Sequence, residues 1–481
     1  MQTALGPPEL RPPPQEGSGP RSCFSGGRPL DSRLPLSDVC ASSGLIVSNM
    51  DSLESDGSVR PVPLAHRVQA RVLKLLYWLL NALLAVVERC FWPQRRPVKA
   101  KRVCIYRIGN VGDTICAVPA MMAIRQAYPQ AALTLLTSPG SRTLPGAAHL
   151  LEGAHWLDEI RVYYAEDIQS PRGWWNLLRE CRQRAFDVWI ELPNDPSPMR
   201  VIFRNMLFTR LAGARWGYGW RLNTIFWALP AQSEVIDFPS ETNRLLAVVR
   251  QAGIATDTVS FPLPLGSHHV HAVDRLLDRH CLQGAPLFAM APGGKRPANR
   301  WPSERFAELG RRLVQGGFRV VLLGGESDAG LCREIAESIG GGADNLAGQT
   351  TLLESCELLK RCSLAICNDS GVQHLAAAVG TPCVSLFSCR DVPGKWSPYG
   401  EENIILRKWV PCHTCYLDIC PYDNHCLKLI QVTEVVECVE RKQREGKLVV
   451  PVAGKPVGTK PGLEPQADGT LAGAYPGERC E

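Results

Sequence analysis

From residue 101 onward two hydrophobic periods alternate along the chain. Short, continuously apolar runs (103-VCIYRI-108, 133-LTLLTS-138 and 186-FDVWIEL-192) are separated by stretches of helical repeat, the first over 114–127. A second series opens near 287. Its strands are 287-LFAMAP-292, 319-RVVLLGG-325, 363-SLAICND-369 and 382-PCVSLF-387, and its helices cover 303–315, 328–339, 351–361, 372–379 and a last one near 433–444. Strands that are apolar at every position need cover on both faces, and crossover helices supply it, so the pattern predicts parallel sheets. The two series, joined near 262–285, predict an α/β chain of two Rossmann-like domains facing across a cleft, over 97–265 and 266–445. Ligands of open α/β sheets sit beyond the carboxyl ends of the strands. That rule selects the loops after Ile108, Pro292, Gly325, Asp369 and Phe387.

Outside this region the periodicity changes. Residues 1–65 are rich in Pro and Gly and have no apolar period, which predicts a disordered arm, and 446–481 predict a disordered tail. The arm contains Met50, a candidate alternative start, and the first residues carry no basic and apolar leader of the secretory type. Between arm and domains, the segment 66–96 reads as a helix over 66–93 that Pro93 stops. Arg67, Arg71, Lys74, Asn81 and Glu88 form one narrow stripe on it, and most other positions are apolar. The run Leu75–Val87 extends only about 20 Å, short of a hydrocarbon core of ~30 Å. An interfacial anchor is one reading, since Arg89, Arg95, Arg96, Lys99, Lys101 and Arg102 follow closely. A helix packed on the globular part and a true span are the others.

Composition narrows the classes. The 481 residues are 45% hydrophobic and 21% charged, enough for two or three buried cores and unlike a polytopic membrane protein. A net charge of +6 is far from a nucleic-acid-coating excess. The 19 cysteines are too few for a disulfide scaffold, and several (Cys104, Cys116, Cys367, Cys383) stand singly in apolar runs. They read as buried thiols of a reducing compartment, so cytoplasm is the expected location.

Three loops carry the candidate chemistry. In 107-RIGNVGD-113, Gly109 and Gly112 allow a tight turn, while Arg107 and Asp113 flank it. The segment is not a GxGxxG fingerprint, which argues against a dinucleotide site. Asp113 is either a helix N-cap or a general base exposed in the cleft. In 292-PGGKRPANRWP-302, Lys295, Arg296 and Arg300 are cations within reach of an anion, or a solvated basic loop. In 368-NDSGVQHLAAAVGTP-382 a strand runs into Asp369, Ser370 and Gly371 and a helix starts at once, which makes a candidate phosphate site. His374 lies one turn in, facing the same pocket or the core. Residues 199–223 mix five Arg with Trp216, Tyr218 and Trp220, a candidate contact for an anionic, lipid-linked acceptor or a solvated amphipathic helix. Cys412, Cys415, Cys420 and Cys426 are close enough in sequence for a structural four-thiolate zinc site, or are thiols and disulfides.

These motifs, in this order over about 101–440, resemble glycosyltransferase family 9, the ADP-heptose:lipopolysaccharide heptosyltransferases. The matching segments are Arg107–Asp113 with the following PAMMAIRQAYPQAALTLLT, then RWPSERFAELGRRL, VVLLGGESD, NLAGQTTLLE and NDSGVQHLAAAVGTPCVSLF. The resemblance implies a GT-B fold and inverting transfer of a sugar from a nucleotide-diphosphate donor, ADP-heptose first, to a lipid-linked saccharide. No cofactor is required. The family's base corresponds to Asp113, with Arg107, Gly109 and Gly112 in its loop. The donor turn corresponds to Asp369, Ser370 and Gly371, with Lys295, Arg300 and His374 around it. Relatives often carry Lys where this chain has Asn299, and Lys295 is the candidate replacement cation. Several also have a Cys-rich patch near Cys412. The expected setting is the inner face of the cytoplasmic membrane, without nucleic acid. Rival readings are transfer of another sugar, a non-catalytic nucleotide-sugar binder, and a sugar-nucleotide epimerase of the same fold.

Overall fold

The computed structural model describes residues 64–92, 95–194, 197–221, 238–446 and 448. The expected disordered arm, apart from its last two residues, and nearly all of the expected tail lie outside the described residues. In chain order the elements are α1 (Leu64–Phe91), β1 (Arg102–Ile108), α2 (Val111–Ala127), β2 (Ala132–Ser138), α3 (Ala147–Leu151), β3 (Glu159–Val162), α4 (Pro171–Arg184), β4 (Val188–Glu191), α5 (Met199–Leu211), β5 (Trp216–Tyr218) and α6 (Glu241–Gln251). They continue with α7 (Ser267–Arg279), β6 (Leu287–Ala291), α8 (Ser303–Gln315), β7 (Arg319–Leu322), α9 (Ala329–Ile339), β8 (Ala343–Asn345), α10 (Leu352–Arg361), β9 (Cys362–Asn368), α11 (Gly371–Ala378), β10 (Cys383–Phe387), β11 (Ile404–Arg407), α12 (His425–Lys428) and α13 (Val432–Arg444).

The first sheet has the order β3-β2-β1-β4-β5 and the second β11-β10-β9-β6-β7-β8, with every neighbouring pair parallel. Each reverses direction once, between β1 and β4 and between β6 and β9, which creates a crevice at the carboxyl ends of those strands. The central strands β1, β6, β9 and β10 are buried along almost their whole length, as their unbroken apolar runs require. One hydrophobic core runs from the first sheet through α7 and α10 to the near face of the second. Another fills the far face under α8 and α13.

Local chemistry sets the boundaries. Ser170 and Thr351 cap α4 and α10 by accepting from the backbone N–H three residues on. The helix expected from 114 starts at Val111, because Asn110 rather than Asp113 occupies the cap. The C-terminal part of α1 docks on the first sheet's domain. Leu84 is buried there, Glu88 pairs with Arg221 at 2.7 Å, and the Trp92 and Trp220 rings stack at 4.7 Å. On its other side Val72, Leu75, Leu76, Trp78, Leu79, Leu83 and Val86 are exposed, Trp78 to 64%. The polar residue Glu88 thus faces protein while the apolar side faces out, the reverse of an ordinary surface helix. Among the described residues no helix is long and apolar enough to cross a membrane.

Candidate active site

The two crevices meet. Asn110, at the end of the first one, donates its backbone N–H to Asp113 Oδ2 at 3.0 Å, so Asp113 sits inside the first turn of α2, half-buried. Gly109 has φ +151°, and a Cβ there would lie 2.3 Å from Asp113 Cβ. Only glycine leaves the carboxylate room. Across the seam, a Cβ on Gly371 would lie 3.7 Å from the Gly112 nitrogen, and one on Gly112 would lie 3.2 Å from His374 Cδ2. The start of α2 and the start of α11 therefore abut, carboxylate on one side and unpaired helix N–H groups on the other.

Asp369, Ser370 and Gly371 form the turn expected between β9 and α11. Asp369 accepts from Asn299 Nδ2 at 3.1 Å and from Gln373 Nε2 at 3.0 Å. Burial raises its carboxyl to about 7; the nearby Asp391 adds to this, and Arg407, Arg390 and Arg296 oppose it. Ser370 Oγ, at the cap of α11, has no partner among the described residues. His374 is buried against the seam with Nδ1 3.5 Å from Cys116 Sγ, and burial lowers its pKa to about 4. Its ring nitrogens thus face α2.

The cationic loop divides its work. Arg300 donates from Nε and Nη2 to Gly294 O, at 2.9 and 2.7 Å, and so braces its own loop. Arg296 pairs with Asp418 at 2.7 Å. Lys295 is exposed and reaches the first domain: with the Asn110 amide donating to Pro139 O, its oxygen accepts from Lys295 Nζ at 3.2 Å. Beside Arg300 a cavity of about 430 Å³ opens, lined by Pro292, Trp301, Glu304, Leu331, Asn424 and Lys428 among others.

Arg107 is not a surface contact of the loop but its buried hub. Its guanidinium donates to Leu192 O, Pro193 O, Asp113 O and Glu241 Oε1, and Glu241 in turn pairs with Arg244 at 2.6 Å. Glu241 and Arg244 escaped the sequence reading. In 240-SETNR-244 they look like an ordinary capped helix start, and only the fold brings them to β1. Asn299 also has a role its identity did not announce: it ties Asp369 to Ser388, whose Oγ donates to Asn299 Oδ1 at 2.6 Å.

Residues 174–425 match the family described as Glycosyltransferase family 9 (heptosyltransferase), more than half of the chain. The chain belongs to glycosyltransferase family 9. Lipopolysaccharide heptosyltransferase 2 of Escherichia coli K12 is 28% identical over 310 residues, 62% of this chain and 85% of that protein. The solved glycosyl transferase family 9 protein of Veillonella parvula superposes with a TM-score of 0.59 at 21% identity, over 73% of this chain and 100% of its own. E. coli ADP-heptose lipopolysaccharide heptosyltransferase II does so with a TM-score of 0.53 at 22% identity, over 72% and 99%. The two sheets are the halves of a GT-B fold, and this family 9 chain is a glycosyltransferase.

For the cysteine cluster of this glycosyltransferase, a structural zinc site and separate thiols or disulfides are the two expectations. Cys412, Cys415, Cys420 and Cys426 are free thiols, and among the described residues no three His, Cys, Asp or Glu side chains are gathered as a metal site. Cys426, on α12, turns inward, where its Sγ accepts from Cys389 N at 3.4 Å. Hydrogen bonding from Cys389 lowers the Cys426 thiol below its ordinary range. Cys426 still acts electrostatically on Cys412, as do Cys415 and Cys420, so the four thiols stay neighbours.

Proposed function

We propose that this glycosyltransferase moves heptose from ADP-heptose to a lipid-linked saccharide with inversion, as in building a lipopolysaccharide core. The observation that carries the reading is the seam itself: the Asp113 carboxylate and the α11 N-terminus meet across the Gly112–Gly371 contact. A single displacement needs this pair. Asp113 accepts the proton of the acceptor hydroxyl as its oxygen attacks the anomeric carbon, and the diphosphate leaves on the opposite face toward Ser370 and Gly371. Lys295 supplies the cation that Asn299 does not. One cation 4 Å from a phosphate oxygen contributes about 4 kcal/mol at an effective dielectric of 20. A helix N-terminus contributes about 0.3–1 kcal/mol, so Lys295 carries most of the leaving-group charge and α11 mainly orients it. The exposed apolar face of α1, together with Phe203, Leu207 and Leu211 on α5, supports work at an anionic membrane surface on its cytoplasmic side.

The test is thermal stabilisation of the full chain by ADP, UDP, GDP and CMP, followed by transfer assays on wild type and Asp113→Asn. Nucleotide at 100 times Kd stabilises by about 2.7 kcal/mol. A preference for ADP, with turnover abolished and ADP binding retained in Asp113→Asn, is the expected result. A preference for UDP or GDP would reject the heptose donor, and full turnover by Asp113→Asn would reject Asp113 as the base.

A further inference from the structure

Arg107 is almost fully buried, with 2% of its side chain exposed, and it leans to one side. Its Nη2 lies 3.0 Å from Glu241 Oε1 but 3.6 Å from Asp113 Oδ1. Nη1 donates to Leu192 O and Pro193 O beyond β4, and Nη2 also donates to Asp113 O. One guanidinium thus joins the loops on both sides of the first crevice. What keeps it there comes from α6. Glu241, 1% exposed, binds Arg244 through both oxygens, at 2.6 and 2.7 Å, and Arg244 Nη2 donates to the same Pro193 O at 2.6 Å.

We infer that Glu241 is a positioning residue for the transfer reaction: by holding Arg107 at its own carboxylate, it fixes the loop that carries Asp113 and leaves the Asp113 carboxylate available to take the acceptor's proton. The inference rests on the reading of Asp113 as the base. Two guanidiniums and the Glu241 carboxylate share this buried space, with the half-buried Asp113 carboxylate at its edge. Without Glu241, Arg107 has Asp113 as its remaining carboxylate partner and need close only the gap from 3.6 Å to full contact. A carboxylate paired that way is a poorer proton acceptor. The groups around Glu241 come from every element packed on it. They are Arg107 from β1, Arg244 on α6, Lys395 from the loop after β10, His374 on α11 and Cys116 on α2, with Asp113 on α2 reached through Arg107 Nη2. Burial works against its charge, but Arg244, Arg107 and Lys395 hold Glu241 at about 2, so it stays ionised wherever the enzyme works.

The experiment uses the full chain, ADP-heptose and a heptose-free lipopolysaccharide acceptor. It records kcat and KM from about pH 4 to pH 8 and the melting temperature for wild type, Asp113→Asn, Glu241→Asp, Glu241→Gln and the charge-balanced pair Glu241→Gln/Arg244→Gln. In Glu241→Gln, kcat falls about tenfold, the donor KM stays within about twofold, and the acid limb of kcat/KM moves about one unit lower in pH. Glu241→Asp recovers part of the rate. The balanced pair recovers melting temperature but keeps the displaced acid limb, and it decides the question if Glu241→Gln alone does not fold. A wild-type acid limb in the balanced pair, with rate following folded fraction only, overturns the inference while leaving Asp113 intact. Normal turnover by Asp113→Asn overturns the base reading and the inference with it.

Discussion

Asp369 makes a sharp prediction about pH. Its carboxyl lies at the start of α11, where the proposed diphosphate binds, and burial lifts it to about 7 from an ordinary 3.8. Below about pH 7 the group is neutral and adds no repulsion; above it, a carboxylate stands in the turn proposed to hold the phosphates. At 4 Å and an effective dielectric of 20, that repulsion is about 4 kcal/mol per charge pair. It is large enough that the ionised form barely binds over the next few pH units. Donor affinity then follows the protonated fraction, about 0.9 at pH 6 and about 0.1 at pH 8, a roughly tenfold loss or about 1.4 kcal/mol. The sign is fixed by linkage: affinity falls as pH rises through 7, and near pH 8 binding takes up close to one proton. ADP-ribose is a suitable probe, because a diphosphate diester keeps its own charge across this window. Isothermal calorimetry in two buffers of different ionisation enthalpy measures affinity and proton uptake together. Asp369→Asn should bind at both pH values as wild type does at pH 6, with no proton uptake. A wild-type affinity that stays flat from pH 6 to pH 8, or an Asp369→Asn variant as steep as wild type, would refute the argument.

Two further outcomes follow from the glycines and from α1. A methyl group on Gly109 would overlap Asp113 at its Cβ, whereas one on Gly112 would press the edge of the His374 ring at 3.2 Å and meet Gly371 Cα at an ordinary 3.6 Å. Gly109→Ala should therefore lower kcat about a hundredfold by displacing the base, while Gly112→Ala should stay within a few-fold; steady-state kinetics on the two variants gives the comparison. The exposed face of α1 should bring the full chain down with sedimenting vesicles that contain phosphatidylglycerol. Trp78→Asp with Leu83→Asp should release it with the ADP-induced stabilisation unchanged, and equal binding by the double variant would exclude that face.

The parts of this molecule that could be read from sequence were those with a strong local signal. Runs such as 103-VCIYRI-108 and 363-SLAICND-369 are apolar at nearly every position because they become central strands, and the loops after them could be named in advance. Strands β3, β5, β8 and β11 have three or four residues each, lie toward the sheet edges and carry too short a period to notice. Asp113, Asp369 and Lys295 were visible as chemistry on loops. The support beneath them was not, because it joins distant segments: Arg107 to Glu241 across 134 positions, and Cys116 to His374 across 258. On α1 the polar stripe was legible, but which side it turns toward the protein depends on Arg221 and Trp220, far along the chain.

Dividing the proposed chemistry between two sheets has a mechanical consequence. A base and a diphosphate held on one rigid scaffold would stand close together before any acceptor arrived, and water could be activated in its place. Here Asp113 belongs to the first sheet and the α11 turn to the second, so the pair is made by the contact across the seam. Asn110 sits at the joint. Its backbone N–H holds Asp113 Oδ2 at 3.0 Å, and its side-chain oxygen takes Lys295 Nζ from the opposite domain at 3.2 Å. The cation proposed to neutralise the departing phosphate and the carboxylate proposed to take the proton are thus anchored on the same residue. The first turn of α2 therefore touches both the proposed base and, through Asn110, the proposed cation of the opposite domain.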